Sequence, residues 1–134
     1  MGYAILDKYK EAVVRASAIL TSAYVAGSVI NHKGFNTLYL DCKYTKGNAD
    51  GFDIKIEVSM DGTNYYVTQQ ALPSGGVTSW FDDITEVRHS ASKDFRLEYQ
   101  LIANYVKISV IGSGANLTGS ALAINAVSCN LPEG

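Results

Sequence analysis

The residues that could do chemistry are few and scattered. His32 and His89 stand in stretches of loop character, HKG and VRHSASKD, and neither has a partner in the local sequence. No serine occupies a G-x-S-x-G elbow, so the strained turn that exposes a nucleophilic hydroxyl is absent from the sequence. Cys42 and Cys129 fall in segments of strand character, far apart and without a C-x-x-C partner. Such a pair reads as reduced, buried thiols rather than as a zinc site. Oxygen donors cluster as Asn48, Asp50 and Asp53 about Gly51, as Asp61 and Asn64 about Gly62, and as Asp82-Asp83. Calcium takes such ligands from loops, but none of these runs has the D-x-[DN]-x-[DN]-G spacing, and Asn, Asp and Gly are also what ordinary turns use. The turn reading takes precedence. No catalytic residue, metal or cofactor is therefore expected, and the chain reads as a non-enzyme.

A binding role is the other chemical option. Tyr65 and Tyr66, with Trp80 and Phe81, could stack on sugar rings beside Asn64 and Asp82. That makes Asn64, Tyr66, Trp80 and Asp82 a candidate ligand platform. Adjacent residues of a strand point to opposite faces, so one member of each aromatic pair is expected in the core and the other part-exposed. Asn116-Leu117-Thr118 has the form of a glycosylation acceptor and reads as a turn.

These residues must be positioned by strands. Leu38, Leu40, Cys42 and Tyr44 alternate with Tyr39, Asp41, Lys43 and Thr45; Ile54, Ile56, Val58 and Met60 alternate with Asp53, Lys55, Glu57 and Ser59. Period-two alternation marks a half-buried strand. KGNADG and Asp61-Gly62 are turn signals, the second a tight-hairpin dipeptide. Residues 38–70 accordingly read as an antiparallel meander. Further strands are expected near 19–24, 27–31, 77–87, 95–101, 104–111 and 120–129. About eight short strands at this spacing predict an all-β antiparallel β-sandwich or jelly-roll barrel over residues 17–134.

Residues 1–16 differ. Ile5, Leu6, Tyr9, Ala12, Val13 and Ala16 recur at helical steps, with Lys8, Lys10, Glu11 and Arg15 towards solvent. An N-terminal arm or short helix fits, although parts of the segment could be extended. Its apolar stripe must be covered, so Tyr3, Ile5, Leu6, Tyr9 and Val13 are the expected interface residues, with the chain's own domain and a neighbour as alternatives.

At 134 residues the chain can bury roughly two-thirds of its unfolded surface. The net charge of −2, with basic residues dispersed, argues against nucleic acid. No apolar run reaches membrane-spanning length. Charged residues make up 18 %, below the usual quarter, which favours a surface partly buried against partners.

Leu38-Tyr39-Leu40, Tyr44-Thr45 and Gly47, followed by Ile54, Ile56-Glu57, Ser59, Asp61-Gly62 and Tyr65-Tyr66, are similar to a pattern in small β-sandwich virion structural proteins of tailed bacteriophages. The resemblance spans residues 19–70. It implies a capsid decoration or auxiliary protein in the virion, made in the host cytoplasm, that stabilises the head shell through subunit-bridging contacts. Its implied partners are the major capsid protein or other virion subunits and copies of itself, as a homotrimer. The alternative from the residues is a carbohydrate-binding β-sandwich module on a virion or cell surface.

Overall fold

The computed structural model describes residues 8–131, and these are all-β, with no helix among them. Twelve strands occur in chain order: β1 (Tyr9–Ile19), β2 (Val25–Ala26), β3 (Ile30–Asn31), β4 (Thr37–Thr45), β5 (Gly51–Ser59) and β6 (Tyr66–Val67), then β7 (Gln69–Ser74), β8 (Val77–Asp82), β9 (Ile84–Val87), β10 (Lys93–Gln100), β11 (Tyr105–Ser113) and β12 (Ala121–Cys129). One sheet has the order β1-β12-β4-β10. The other has β11 and β5 at its centre, with β2 and β3 pairing the free side of β11 and β6 and β9 the free side of β5. Counting β2 with β3 and β6 with β9 as interrupted strands gives two four-membered antiparallel sheets in jelly-roll order.

This order corrects the meander. β4 pairs with β12 and β10, whereas β5 lies in the opposite sheet against β11. The KGNADG segment is therefore a crossover between layers. Gly47 adopts φ +52°, and a Cβ there would stand 2.3 Å from the Gly119 backbone. Asn48 N–H donates to the Thr118 carbonyl at 2.9 Å in the same contact. Only a residue without a side chain lets these two loops meet.

The faces follow the alternation. Leu38, Leu40, Cys42 and Tyr44 of β4 are buried, as are Val106, Ile108 and Val110 of β11 and Leu122, Ile124 and Ala126 of β12. Phe52 and Ile54 complete the centre, and Phe52 packs tilted against Tyr44 and stacked on Phe95, with centroids 5.1 and 6.2 Å apart. Burying each such side chain contributes about 1.5–3 kcal/mol. Met60, expected on the inner face, lies past the end of β5 and is exposed.

The helix expected near the N-terminus does not form over its described part. Tyr9–Ile19 is an edge strand paired antiparallel with β12, because a 3–4 spacing of small and β-branched residues is a weak signal beside a ladder of eight pairs. Two register shifts bracket Arg15. Its guanidinium, expected in solvent, spans the irregularity and donates to the carbonyls of Leu122, Ala18 and Ile19 at 3.0, 3.1 and 2.9 Å. Burial lowers its pKa. Gly27 joins the sheets at this edge: a Cβ there would stand 2.4 Å from the Val14 carbonyl oxygen, and Ser28 N–H donates to that oxygen at 2.9 Å.

Candidate functional site

The β5-to-β6 connection is built by Asp61. Its carboxylate accepts from Thr63 N–H and Asn64 N–H at 2.8 Å each, from Asn64 Nδ2 at 2.7 Å and from Ser59 Oγ at 3.0 Å. The two backbone donors, followed by those side chains, hold the acid well below the usual carboxylate range. Asp61-Gly62 is thus an Asx-type turn inside a longer loop, not the two-residue hairpin expected. Both carboxylate oxygens are committed to that turn. Beside it lies a shallow pocket of about 330 Å³ lined by Met60, Asp61, Asn64, Tyr66, Ile102 and Ala103, among others. Met60, Tyr66 and Ile102 are all exposed.

β6 and β9 both pair with β5, β6 at Glu57 and Val58 and β9 at Phe52–Lys55. They are two halves of one edge position, and residues 68–83 are an insertion between them. Asp83 N–H donates to the Thr68 carbonyl at 2.8 Å and closes the neck. Above it β7 and β8 pair with each other alone, from Gln69↔Asp82 to Ser74↔Val77, and every residue of both strands is exposed. Cross-strand partners share a face. Leu72, Val77 and Phe81 therefore stand on one side and Ala71, Pro73 and Trp80 on the other. No residue from Thr68 to Phe81 is charged. Each face is half apolar, with Gln70, Ser74 and Ser79 beside the first set and Gln69, Thr78 and Asp82 beside the second, and among the described residues no other strand pairs with either arm.

The candidate platform is divided by this arrangement. Asn64 and Tyr66 line the pocket at the sheet end, while Trp80 and Asp82 share the second face of the hairpin. Trp80 pairs with Ala71, five residues beyond Tyr66 and roughly 16 Å along extended chain. Trp80 and Phe81 are 65 % and 45 % exposed, so the expected placement of one in the core is corrected: an inserted hairpin has no core to point into. Of the expected interface residues, Tyr3, Ile5 and Leu6 lie outside the described residues. Tyr9 and Val13 stand on the outer face of β1, more than half exposed.

Neither histidine is a solvated loop residue. His32 is fully buried, with Nδ1 2.8 Å from Ser128 Oγ and Nε2 3.1 Å from the Leu101 carbonyl. A carbonyl only accepts, so Nε2 carries the proton and Nδ1 accepts from the serine hydroxyl. His89 is half-buried, edge-on to Phe95 at 4.7 Å. No pattern in the sequence marked either placement.

Cys42 and Cys129 are free and buried. Cys42 is opposite Ile124 and Cys129 opposite Thr37, five positions apart along the ladder, or roughly 17 Å, beyond disulfide reach. Among the described residues no group of three or more His, Cys, Asp and Glu could hold a metal ion.

The sandwich is open along β9 and β10, the outermost strands of the two sheets on that side. A groove of about 380 Å³ is lined there by Thr85, Val87, Arg88, His89, Phe95 and Leu97, among others. It continues past Thr85 into a smaller recess of about 160 Å³ that includes Tyr99 and Leu101 as well as Thr68 and Asp83 at the hairpin's neck. Thr85 Oγ1 and Tyr99 OH, 2.8 Å apart, bridge the two strands.

No protein-family model and no curated protein matches the chain. Among solved structures, the SPBc2 prophage-derived protein YomS is similar over 91 % of this chain and 93 % of its own, with a TM-score of 0.52 and 10 % identity. A chain of infectious bursal disease virus, Gx strain, matches over 92 % of this chain but only 32 % of its own, with a TM-score of 0.49 and 8 % identity. A Bacillus endospore appendage protein that forms disulfide-linked pili matches over 98 % of both chains, with a TM-score of 0.43 and 8 % identity. The chain shares the β-sandwich fold of the prophage-derived protein.

Proposed function

We propose that this chain is a non-enzymatic structural subunit of a phage virion, a decoration or auxiliary protein that stabilises the head shell by bridging subunits. Its partners are the major capsid protein or other virion subunits, together with copies of itself, for which a trimer is the favoured number. The observation that carries the reading is the β7–β8 hairpin, exposed at every residue, uncharged from Thr68 to Phe81 and paired with no other described strand. An isolated two-stranded hairpin is at best marginally stable in water, and such a surface is normally buried against another protein. The fold shared with a prophage-derived protein and the phage-like strand-turn-strand pattern in residues 19–70 support the same direction.

Quantitative mass spectrometry of purified particles from a virus-producing culture of the source organism tests this. The chain is expected in many copies per particle, in fixed ratio to the capsid subunit. Its absence from washed particles would refute the reading. Carbohydrate binding is the second reading, favoured by the exposed Tyr66 ring beside Asn64 at the pocket. It predicts glycan-dependent fluorescence changes that Tyr66→Ala abolishes.

A further inference from the structure

We propose that the pocket beside the Asp61 turn is filled by the chain's own residues 1–7, with the Tyr3 and Ile5 side chains seated among Met60, Tyr66 and Ile102. This contact goes beyond the proposed function and does not depend on the chain being part of a virion.

The pocket selects for apolar groups. Its polar side chains are already engaged: Ser59 Oγ donates to Asp61 and accepts from Gly62 N–H, and Asn64 Nδ2 donates to the same carboxylate. What remains for an occupant is the lining of Val58, Met60, Tyr66, Ile102 and Ala103. Ile102, at 82 %, is the most exposed large apolar residue among those described. Apolar surface gathered in one concavity is stabilised by an apolar occupant.

The chain carries such an occupant close by. Residues 1–6 read MGYAIL, without a charged side chain, and lie outside the described residues. They lead into β1, whose first residue, Tyr9, stands opposite Cys129, the last of β12. Asn130 then leaves the ladder: its Oδ1 accepts from Asn36 N–H at 2.8 Å and its Nδ2 donates to the Gly34 carbonyl at 3.0 Å. The chain therefore enters β1 from beyond the ladder, at the end of the sandwich where the pocket lies. The way across is short. Asn36 N–H also donates to the Cys129 carbonyl at 3.3 Å, and Leu101 N–H donates to the Asn36 carbonyl at 3.1 Å. Ile102, in the pocket wall, follows Leu101.

Reach decides which copy supplies the occupant. Tyr9 to Cys129 to Asn36 to Leu101 is three steps of roughly 5 Å each. With one residue more to Ile102, the wall stands within about 20 Å of Tyr9. Six extended residues, from Tyr9 back to Tyr3, span about 20 Å. In extended chain Tyr3 and Ile5 share a side, so Tyr3 reaches the wall and Ile5 the near rim. A tether this short holds its end at about millimolar effective concentration, which outcompetes the same segment of a second copy at micromolar concentration. Being tethered, the contact needs far less area than one between separate proteins.

Nuclear Overhauser spectra of the full chain test this. Contacts are expected from the Tyr3 ring and the Ile5 methyls to the methyls of Met60 and Ile102. They are expected within one chain, and absent between chains when labelled and unlabelled protein are mixed. Ile102→Asp, at an exposed position, is expected to abolish them with thermal unfolding unchanged. Trypsin cleavage after the exposed Lys8 is then expected to speed up about tenfold, since proteolysis tracks the open population. Absence of these contacts in the wild-type chain overturns the proposal. So do contacts found only between chains, which would give the pocket to a second copy, and equal cleavage rates in wild type and Ile102→Asp. Presence in particles is measured separately, so this contact and the virion reading can fail independently.

Discussion

The imidazole of His32 accepts a hydrogen bond from Ser128 Oγ at 2.8 Å, 96 residues away, and donates from Nε2 to the Leu101 carbonyl. With His32 N–H donating to the Asn104 carbonyl at 2.9 Å, one residue ties the corner after β3 to the end of β12 and to the loop between β10 and β11. Three segments that the sequence holds far apart depend on a neutral, fully buried ring.

Burial lowers the His32 pKa below its ordinary 6.5, opposed by the Leu101 carbonyl, which favours the protonated form. Above about 6.5 both folded and unfolded chains hold the ring neutral, and this group adds no pH dependence. Below it the unfolded chain takes the proton first, so stability falls as pH drops from about 6.5 to the folded-state value and then levels. Urea midpoints between pH 8 and 5 are expected to decline over that window, with the decline reduced in His32→Gln. His32→Leu at pH 8 is expected to cost about 2 kcal/mol, from orphaning Ser128 and the Leu101 carbonyl. An equal pH slope in wild type and His32→Gln would contradict the assignment.

The Tyr44 hydroxyl is buried and has no hydrogen-bond partner among the described residues. Its ring packs 5.1 Å from that of Phe52, and that packing survives removal of the oxygen. Tyr44→Phe is therefore expected to be neutral or to stabilise by about 1 kcal/mol, since it deletes an unpaid desolvation. A loss of 1 kcal/mol or more in denaturant unfolding would show that the hydroxyl is satisfied in solution.

The layers of this fold were legible wherever a strand had one face in the core. Leu38 to Tyr44, Val106 to Val110 and Leu122 to Ala126 alternate in sequence and are buried in that alternation. Connectivity was not legible, because alternation states which face is buried and not which strand lies alongside. β4 and β5 are consecutive and similar in pattern, yet belong to different sheets. β1 was ambiguous because Val13 and Val14 satisfy a helical and an extended pattern alike, and only the ladder to β12 separates them. The hairpin was not legible: residues 77–87 read as one strand, whereas the chain divides there into β8 and β9. What sequence reasoning missed is that no core lies beneath it, which follows from β6 and β9 being halves of one edge. The absence of charge from Thr68 to Phe81 was the available signal.

Gly27 passes so close to β1 that a methyl group would enter the Val14 carbonyl and side chain, at 2.4 and 2.7 Å. Gly27→Ala must push β1 outward or break the Ser28 N–H to Val14 hydrogen bond. The expected cost is about 2 kcal/mol, typical of overpacking against backbone. Hydrogen exchange is expected to accelerate first in β1, the strand that must move. A fully stable Gly27→Ala chain would mean that β1 packs less tightly than described.

Cys42 lies between Leu40 and Tyr44 on the inner face of β4, 2 % exposed, and Cys129 ends β12 with no exposed surface. Burial, with a smaller contribution from Asp41, pushes the Cys42 thiol up to about 12, and burial also raises that of Cys129. A thiol reacts through its thiolate, so two barriers, access and ionisation, oppose labelling in the folded state. A thiol reagent at pH 8 is expected to modify neither cysteine in the native chain and both in urea, with labelling rates that follow unfolding. Because the pair is separated along the ladder, oxidised native protein is expected to contain no internal disulfide by mass. Rapid labelling of one thiol in native buffer would place the end of its strand in solvent, and for Cys129 that would also mean an opened His32–Ser128 corner.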